Sequence, residues 1–183
     1  MDEFYTLSVA GLKRRLPVIK ISDTLAVASF VMLGDTELVE KTALALYEHP
    51  AFPRYTIDIL VCPEAKAIPL AHVLANLLRV NYIVARKSLK SYMKNPITET
   101  VQSITTAGEQ ILVLDGSDVE KIRGRNVCVV DDVVSTGGSL KVLESLLLKA
   151  GCRVVAKTAV LLEDAGYPGN DLVYLEKLPV FPL

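Results

Sequence analysis

The feature that most constrains this chain lies at residues 127–139. Val127-Cys128-Val129-Val130 is an unbroken apolar run. Asp131-Asp132 follow, then Val133-Val134, then Ser135-Thr136-Gly137-Gly138-Ser139. Behind them Ser139 to Ala150 has helical spacing, with Gly151 just past its end. A short valine-rich run reads as a strand covered on both faces, and a glycine after the last periodic residue reads as a helix stop. A fully buried strand that feeds a helix is half of a βαβ unit. The rest of the chain must then supply parallel strands beside it and helices over both faces.

The flanking sequence meets that demand. Asp35 or Thr36 is placed to cap a helix over 36–48, whose Leu38, Val39, Ala43, Leu46 and Tyr47 share one face. Ile57–Cys62 reads as a buried strand, Ile68–Leu78 as an apolar helix, and Tyr82–Ala85, Ile111–Leu114 and Val154–Leu162 as further strands. Residues 1–35 are mixed, with a short strand expected at Val18–Ile21, and residues 88–108 read as polar and irregular. Neither a repeat nor a Gly/Ser-rich linker divides the 183 residues, so one α/β domain is expected.

Composition narrows the partners. With 51% hydrophobic and 22% charged residues the chain can build a core. A formal net charge of −1 weighs against a general nucleic-acid or membrane-surface binder. The sequence offers no apolar run of membrane-spanning length, and Met1 to Tyr5 lack the order of a signal peptide. Cys62, Cys128 and Cys152 are far apart and form no CxxC pair, which fits buried thiols and a reducing, cytoplasmic setting.

The loop after the best strand has a chemical logic. Gly137 and Gly138 let backbone N–H groups approach an anion, Ser135, Thr136 and Ser139 add hydroxyl donors, and the next helix aims its positive end at the same spot. That combination suits a phosphate monoester. Two adjacent carboxylates would repel a phosphate, so Asp131 and Asp132 suit hydroxyl groups on the same ligand, such as a ribose diol. A nucleotide P-loop is disfavoured because no Gly-Lys-Ser/Thr follows the glycines, and GxGxxG is absent.

The segment resembles the phosphoribosyl-diphosphate (PRPP) motif of the type I phosphoribosyltransferases, and strand order over roughly residues 20–165 is similar, most of all to adenine phosphoribosyltransferase and its purine-using relatives. The resemblance implies an α/β, Rossmann-like type I fold with a mostly parallel sheet flanked by helices, an N-terminal hood within 1–35 and a mobile lid at 88–108. It implies transfer of the 5-phosphoribosyl group from PRPP to a purine, giving a nucleoside monophosphate and diphosphate, with Mg2+ held at Asp131 and Asp132, directly or through water. Asp131 and Asp132 would contact the ribose hydroxyls, and Val134, Ser135, Thr136, Gly137, Gly138 and Ser139 the 5′-phosphate. Ala65 and Lys66, in a short loop after the first clear strand, and the Arg86, Lys87 and Lys90 tract would meet the diphosphate. Ile19, Leu162 and Glu163 are the base-pocket candidates, and a homodimer is expected.

One position departs from the family. A glutamate near the end of the lid, two residues before a glycine, is replaced here by Thr106, which cannot serve as a general acid near neutral pH. Either Glu109 substitutes or positioning alone suffices. The departure also keeps open a regulator of the same fold that senses PRPP or a nucleotide without catalysis, and an enzyme for hypoxanthine, guanine or xanthine.

Overall fold

The computed structural model describes residues 3–102 and 109–183. The chain opens with β1 (Phe4–Val9), β2 (Leu12–Ser22) and β3 (Leu25–Ala28), then α1 (Thr36–Glu48), β4 (Ile59–Pro63), α2 (Ile68–Leu78) and β5 (Asn81–Ala85). It continues with β6 (Ile97–Gln102), β7 (Glu109–Leu114), α3 (Gly116–Ile122), β8 (Asn126–Val134), α4 (Gly138–Ala150), β9 (Arg153–Glu163), β10 (Leu172–Leu178) and β11 (Val180–Pro182).

The expected α/β core is present. Five parallel strands run in the order β10-β9-β8-β4-β5. Alternate residues of β4 and β8 serve opposite faces: Leu60, Cys62, Cys128 and Val130 pack with α1 and α2, whereas Ile59, Val61, Val127 and Val129 pack with α3 and α4. This two-sided burial is why the strands read as continuous apolar runs. Helix α4 buries Leu140, Leu143, Leu146 and Leu147. At about 1.5–3 kcal/mol per leucine, that face supplies on the order of 10 kcal/mol of gross burial, so packing rather than helix propensity fixes α4 on the sheet. Asp35 accepts a 3.1 Å hydrogen bond from the Leu38 N–H, which makes it the α1 N-cap, and Gly151 ends α4 at φ 77°.

Three stretches differ from expectation. The strand expected at Val18–Ile21 is the second half of the 11-residue β2, which forms a hairpin with β1 through Ala10 and Gly11, both at positive φ. That two-residue turn matches the twist of the strands, and Leu7, Val9 and Leu16 form its buried side. The four-stranded sheet that β2 joins, β1-β2-β3-β11, also takes a strand from the chain's last residues. Residues 97–102, expected to be irregular, are a strand instead: β-branched Ile97, Thr98, Thr100 and Val101 pair with β7 in an antiparallel ribbon outside the main sheet. Finally, β8 does not stop at Val130 but continues through both aspartates to Val134, because β9 pairs with it that far.

Candidate functional site

Strands β4, β5, β8 and β9 end on one side of the sheet, where ligands of open α/β folds bind. A cleft of about 440 Å³ opens there, lined by residues 63–67, Lys87, Ile111, Leu112, Asp131, Asp132, Val133 and Ser139. It brings together the paired acids, the Ala65-Lys66 loop, Lys87 and the last serine of the glycine loop. Sequence separations of more than sixty residues are closed by β8 lying directly beside β4.

The acids are under tension. Asp132 is buried, and its Oδ2 has no hydrogen-bond partner among the described residues. Asp131 Oδ1 accepts a 2.8 Å hydrogen bond from the Asp132 N–H. Burial, and then the neighbouring Asp132 charge, push the Asp131 carboxyl well above the usual carboxylate range. An unmatched buried oxygen costs about 1–3 kcal/mol or more, so the pair is destabilised until a donor or cation meets it. Cys62 lies just behind, and burial pushes its thiol up to about 12, so it is no nucleophile.

The glycine loop leads from β8 into α4. Val134 is buried in the core, while Ser135, Thr136, Gly138 and Ser139 retain solvent access. Gly137 stands at φ 83° as the α4 N-cap, and no side chain caps that helix end, so its first N–H groups face the cleft side unmatched by a cap. The conformational demand falls on Gly137. At Gly138 a Cβ would find its nearest neighbour at 3.9 Å, an ordinary contact.

The cationic side is arranged differently from expectation. Lys66 and Lys87 line the cleft; Arg86 and Lys90 are not among the lining residues. Arg86 Nη1 donates to Glu64 Oε1 at 3.1 Å, and the Lys87 N–H donates to Glu64 Oε2 at 3.0 Å. These bonds, the Lys87 N–H first and Arg86 second, hold the Glu64 carboxyl below its ordinary range. Glu64 thereby ties the 63–67 loop to the end of β5, and α2 starts from Ala67 as a cap with no side-chain bond. Lys90 Nζ lies 2.7 Å from Ser88 Oγ. The Arg86 backbone also exchanges hydrogen bonds of 2.9 and 2.8 Å with Val113, which brings Ile111 and Leu112 of the ribbon to the cleft wall. This ribbon contribution was missed by reasoning from sequence; the apolar Ile111–Leu114 run was its only signal.

The base-pocket candidates are not in the cleft lining. Ile19 sits on β2 opposite Val27 and is exposed, while Leu162 and Glu163 end β9 opposite Lys177 and Leu178. Tyr92 is exposed, and the Lys94 N–H is tied to Asp115 Oδ1 at 2.8 Å. Thr106 lies outside the described residues, as does the side chain of Glu109.

A divalent cation would find two carboxylates here. Among the described residues no group of three or more His, Cys, Asp or Glu side chains is placed to hold one by itself. The unpartnered Asp132 Oδ2 beside Asp131 fits a hard cation that shares its remaining positions with water and ligand oxygens, as Mg2+ does.

Comparison with known proteins places the chain among relatives of one family. An adenine phosphoribosyltransferase of Dichelobacter nodosus is 29% identical over 141 residues, 75% of this chain and 74% of that one. A hypoxanthine/guanine phosphoribosyltransferase of Methanococcus voltae is 35% identical over 130 residues, 68% of this chain and 66% of that one. The crystal structure of adenine phosphoribosyltransferase from Rhodothermus marinus shares the fold with a TM-score of 0.68, at 21% identity over 96% of this chain and 94% of that one. The family model described as "phosphoribosyl transferase domain" matches residues 36–176, from the start of α1 into β10, so the chain belongs to the phosphoribosyl transferase family.

Proposed function

We propose that this protein is a Mg2+-dependent purine phosphoribosyltransferase, adenine-type in its first preference, that converts PRPP and a purine base into a nucleoside monophosphate and diphosphate. The observation that carries the reading is the cleft itself, where paired acids, one with an unmatched buried oxygen, face Lys66 and Lys87 beside a glycine loop at a helix N-terminus. The similarity to the Dichelobacter nodosus enzyme supports adenine as the base, and the similarity to the Methanococcus voltae enzyme makes hypoxanthine and guanine the second reading.

In this reading residues 134–139 hold the 5′-phosphate through backbone N–H groups and hydroxyls. Asp131 and Asp132 orient the ribose hydroxyls and favour positive charge developing at the anomeric carbon as the bond to diphosphate breaks. Ala65 offers its backbone, and Lys66 and Lys87 hold the departing diphosphate. Arg86 acts through Glu64, which fixes the loop that carries Lys66. Mg2+, when bound at the aspartates, offsets leaving-group charge. The base is assigned to the space beside the cleft, outside its lining, with Ile19 of β2 and Leu162-Glu163 of β9 as its candidate walls. Residues 1–183 act as one domain, with 1–35 as hood and 88–108 covering the cleft to exclude water. The reading extends to a cytoplasmic homodimer.

The test is steady-state turnover with PRPP, Mg2+ and each of adenine, hypoxanthine, guanine and xanthine. Formation of AMP at the highest kcat/KM supports the adenine reading, and preference for a 6-oxopurine replaces it with the second. Folded protein that releases no diphosphate with any base removes the enzyme reading and leaves a PRPP or nucleotide sensor.

A further inference from the structure

Behind the glycine loop lies a side chain that none of the foregoing chemistry uses. Tyr167 belongs to the segment that follows β9, thirty residues beyond Gly137. A Cβ at Gly137 would stand 2.6 Å from Tyr167 Cδ2 and 2.8 Å from Cε2. The ring therefore occupies the space a side chain would need there. A Cβ at Gly169 would likewise overlap the ring, 2.5 Å from Cζ and 2.7 Å from Cε1, so the tyrosine is seated between two glycines. It also packs on the core cluster that contains Val134 and Leu140, the residues on either side of the loop.

The far end of the ring is tethered. Tyr167 Oη donates to Asp171 Oδ1 at 3.0 Å. Asp171 Oδ2 lies 2.6 Å from Lys157 Nζ, and Lys157 Nζ lies 2.8 Å from Glu144 Oε1 on α4. Lys157 is only 11% exposed, so its two acids are needed to keep it charged inside the fold. Burial opposes that charge, yet the hydrogen bonds to Asp171 and Glu144 hold the ammonium above its usual range. Burial and the Asp171 bond push the Tyr167 phenol up, so it remains a donor.

We infer that Tyr167 is a positioning residue for the phosphate loop: its ring fixes the backbone at Gly137, and Asp171, Lys157 and Glu144 hold the ring in place. The inference rests on the proposed function, because it takes residues 134–139 as the seat of the ligand's phosphomonoester. The loop's N–H groups converge only while Gly137 keeps its left-handed conformation. With the ring gone, the loop gains conformations it must give up on binding, and affinity falls by that ordering cost. The diphosphate side, Lys66 and Lys87, hangs from β4 and β5 and does not depend on this support.

Calorimetric titration of the full chain with ribose 5-phosphate, and separately with magnesium diphosphate, tests the role. Tyr167→Ala is expected to weaken ribose 5-phosphate by roughly tenfold while diphosphate binding stays within about twofold. Tyr167→Phe keeps the ring and is expected to lose only about two- to threefold. Should Tyr167→Ala fail to fold, Asp171→Ala, which keeps the ring but removes the oxygen that accepts from its hydroxyl, is expected to weaken ribose 5-phosphate selectively. Unchanged ribose 5-phosphate binding in both Tyr167→Ala and Asp171→Ala overturns the role, and so does equal weakening of both ligands. Wild-type protein that binds neither ligand overturns the proposed function instead.

Discussion

Substitution of Gly137 by alanine isolates the demand the glycine loop makes on its sequence. Two costs can be worked out at that position. A non-glycine residue held at φ 83° is strained by about 1–2 kcal/mol. A methyl group whose carbon sits 2.6 Å from Tyr167 Cδ2 must displace the ring or the loop, and overpacking of that kind costs about 1–3 kcal/mol. Together Gly137→Ala is expected to lose about 2–5 kcal/mol, a fall in Tm of roughly 4–20 °C for a chain of this size. Gly138→Ala is the control. Its φ is not in the left-handed region and its nearest neighbour is 3.9 Å away, so its stability should stay within about 0.5 kcal/mol of wild type. Calorimetric or fluorescence melting of both variants measures the difference. The double variant Gly137→Ala/Tyr167→Ala should recover the overlap share of the loss, a coupling of about 1–3 kcal/mol, while the backbone share remains. If Gly137→Ala melts with Gly138→Ala, or if the double variant shows no coupling, the placement of Tyr167 against Gly137 is wrong.

Other substitutions test separate joints. Glu64→Gln leaves one acceptor oxygen where Arg86 and the Lys87 N–H use two, so one of the two ties is lost, and KM for PRPP should rise several-fold with a smaller change in KM for the base. Asp35→Ala removes the α1 cap and the partner of Arg14 Nε at 2.7 Å, and should cost about 1 kcal/mol or more in urea unfolding. The Asp35 carboxyl is held below its ordinary range, first by Arg14 and then by the Leu38 N–H. Its stabilisation is therefore full above the unfolded carboxylate value and lost as pH falls through the lower folded value, so wild type and Asp35→Asn should converge in stability below about pH 4. Glu99 Oε2 sits 2.7 Å from Lys149 Nζ and accepts from Ser145 Oγ at 2.8 Å, latching β6 onto α4; Glu99→Ala should speed amide exchange in β6 while β8 stays protected.

The parallel core was legible because burial on both faces leaves a one-dimensional trace. Strands β4, β5, β8 and β9 are apolar runs, and α1, α2 and α4 carry their faces at helical spacing with Asp35 and Gly151 at the ends. The hood was less legible. Its strands are exposed on one side, and Ile19 and Ile21 beside Arg15 on the open face, with Arg14 on the inner face paired to Asp35, break any simple alternation. Only the Ala10-Gly11 turn announces the hairpin. The ribbon strand β6 is short and threonine-rich, so its partner β7, rather than its own pattern, defines it. At the site, the paired acids and glycine loop were visible because they are contiguous. The Glu64–Arg86 tie and the Tyr167–Gly137 contact join residues 22 and 30 positions apart, and neither pair has a spacing rule that could reveal it.

Binding of PRPP with Mg2+ to wild type and to Asp131→Asn/Asp132→Asn, followed by calorimetry at fixed salt, probes the cleft most directly. The wild-type protein should bind in the micromolar range, about −8 kcal/mol, and the double variant should lose at least tenfold together with its turnover. A double variant that binds PRPP and turns over as wild type does would contradict the assignment of the paired acids to the ribose.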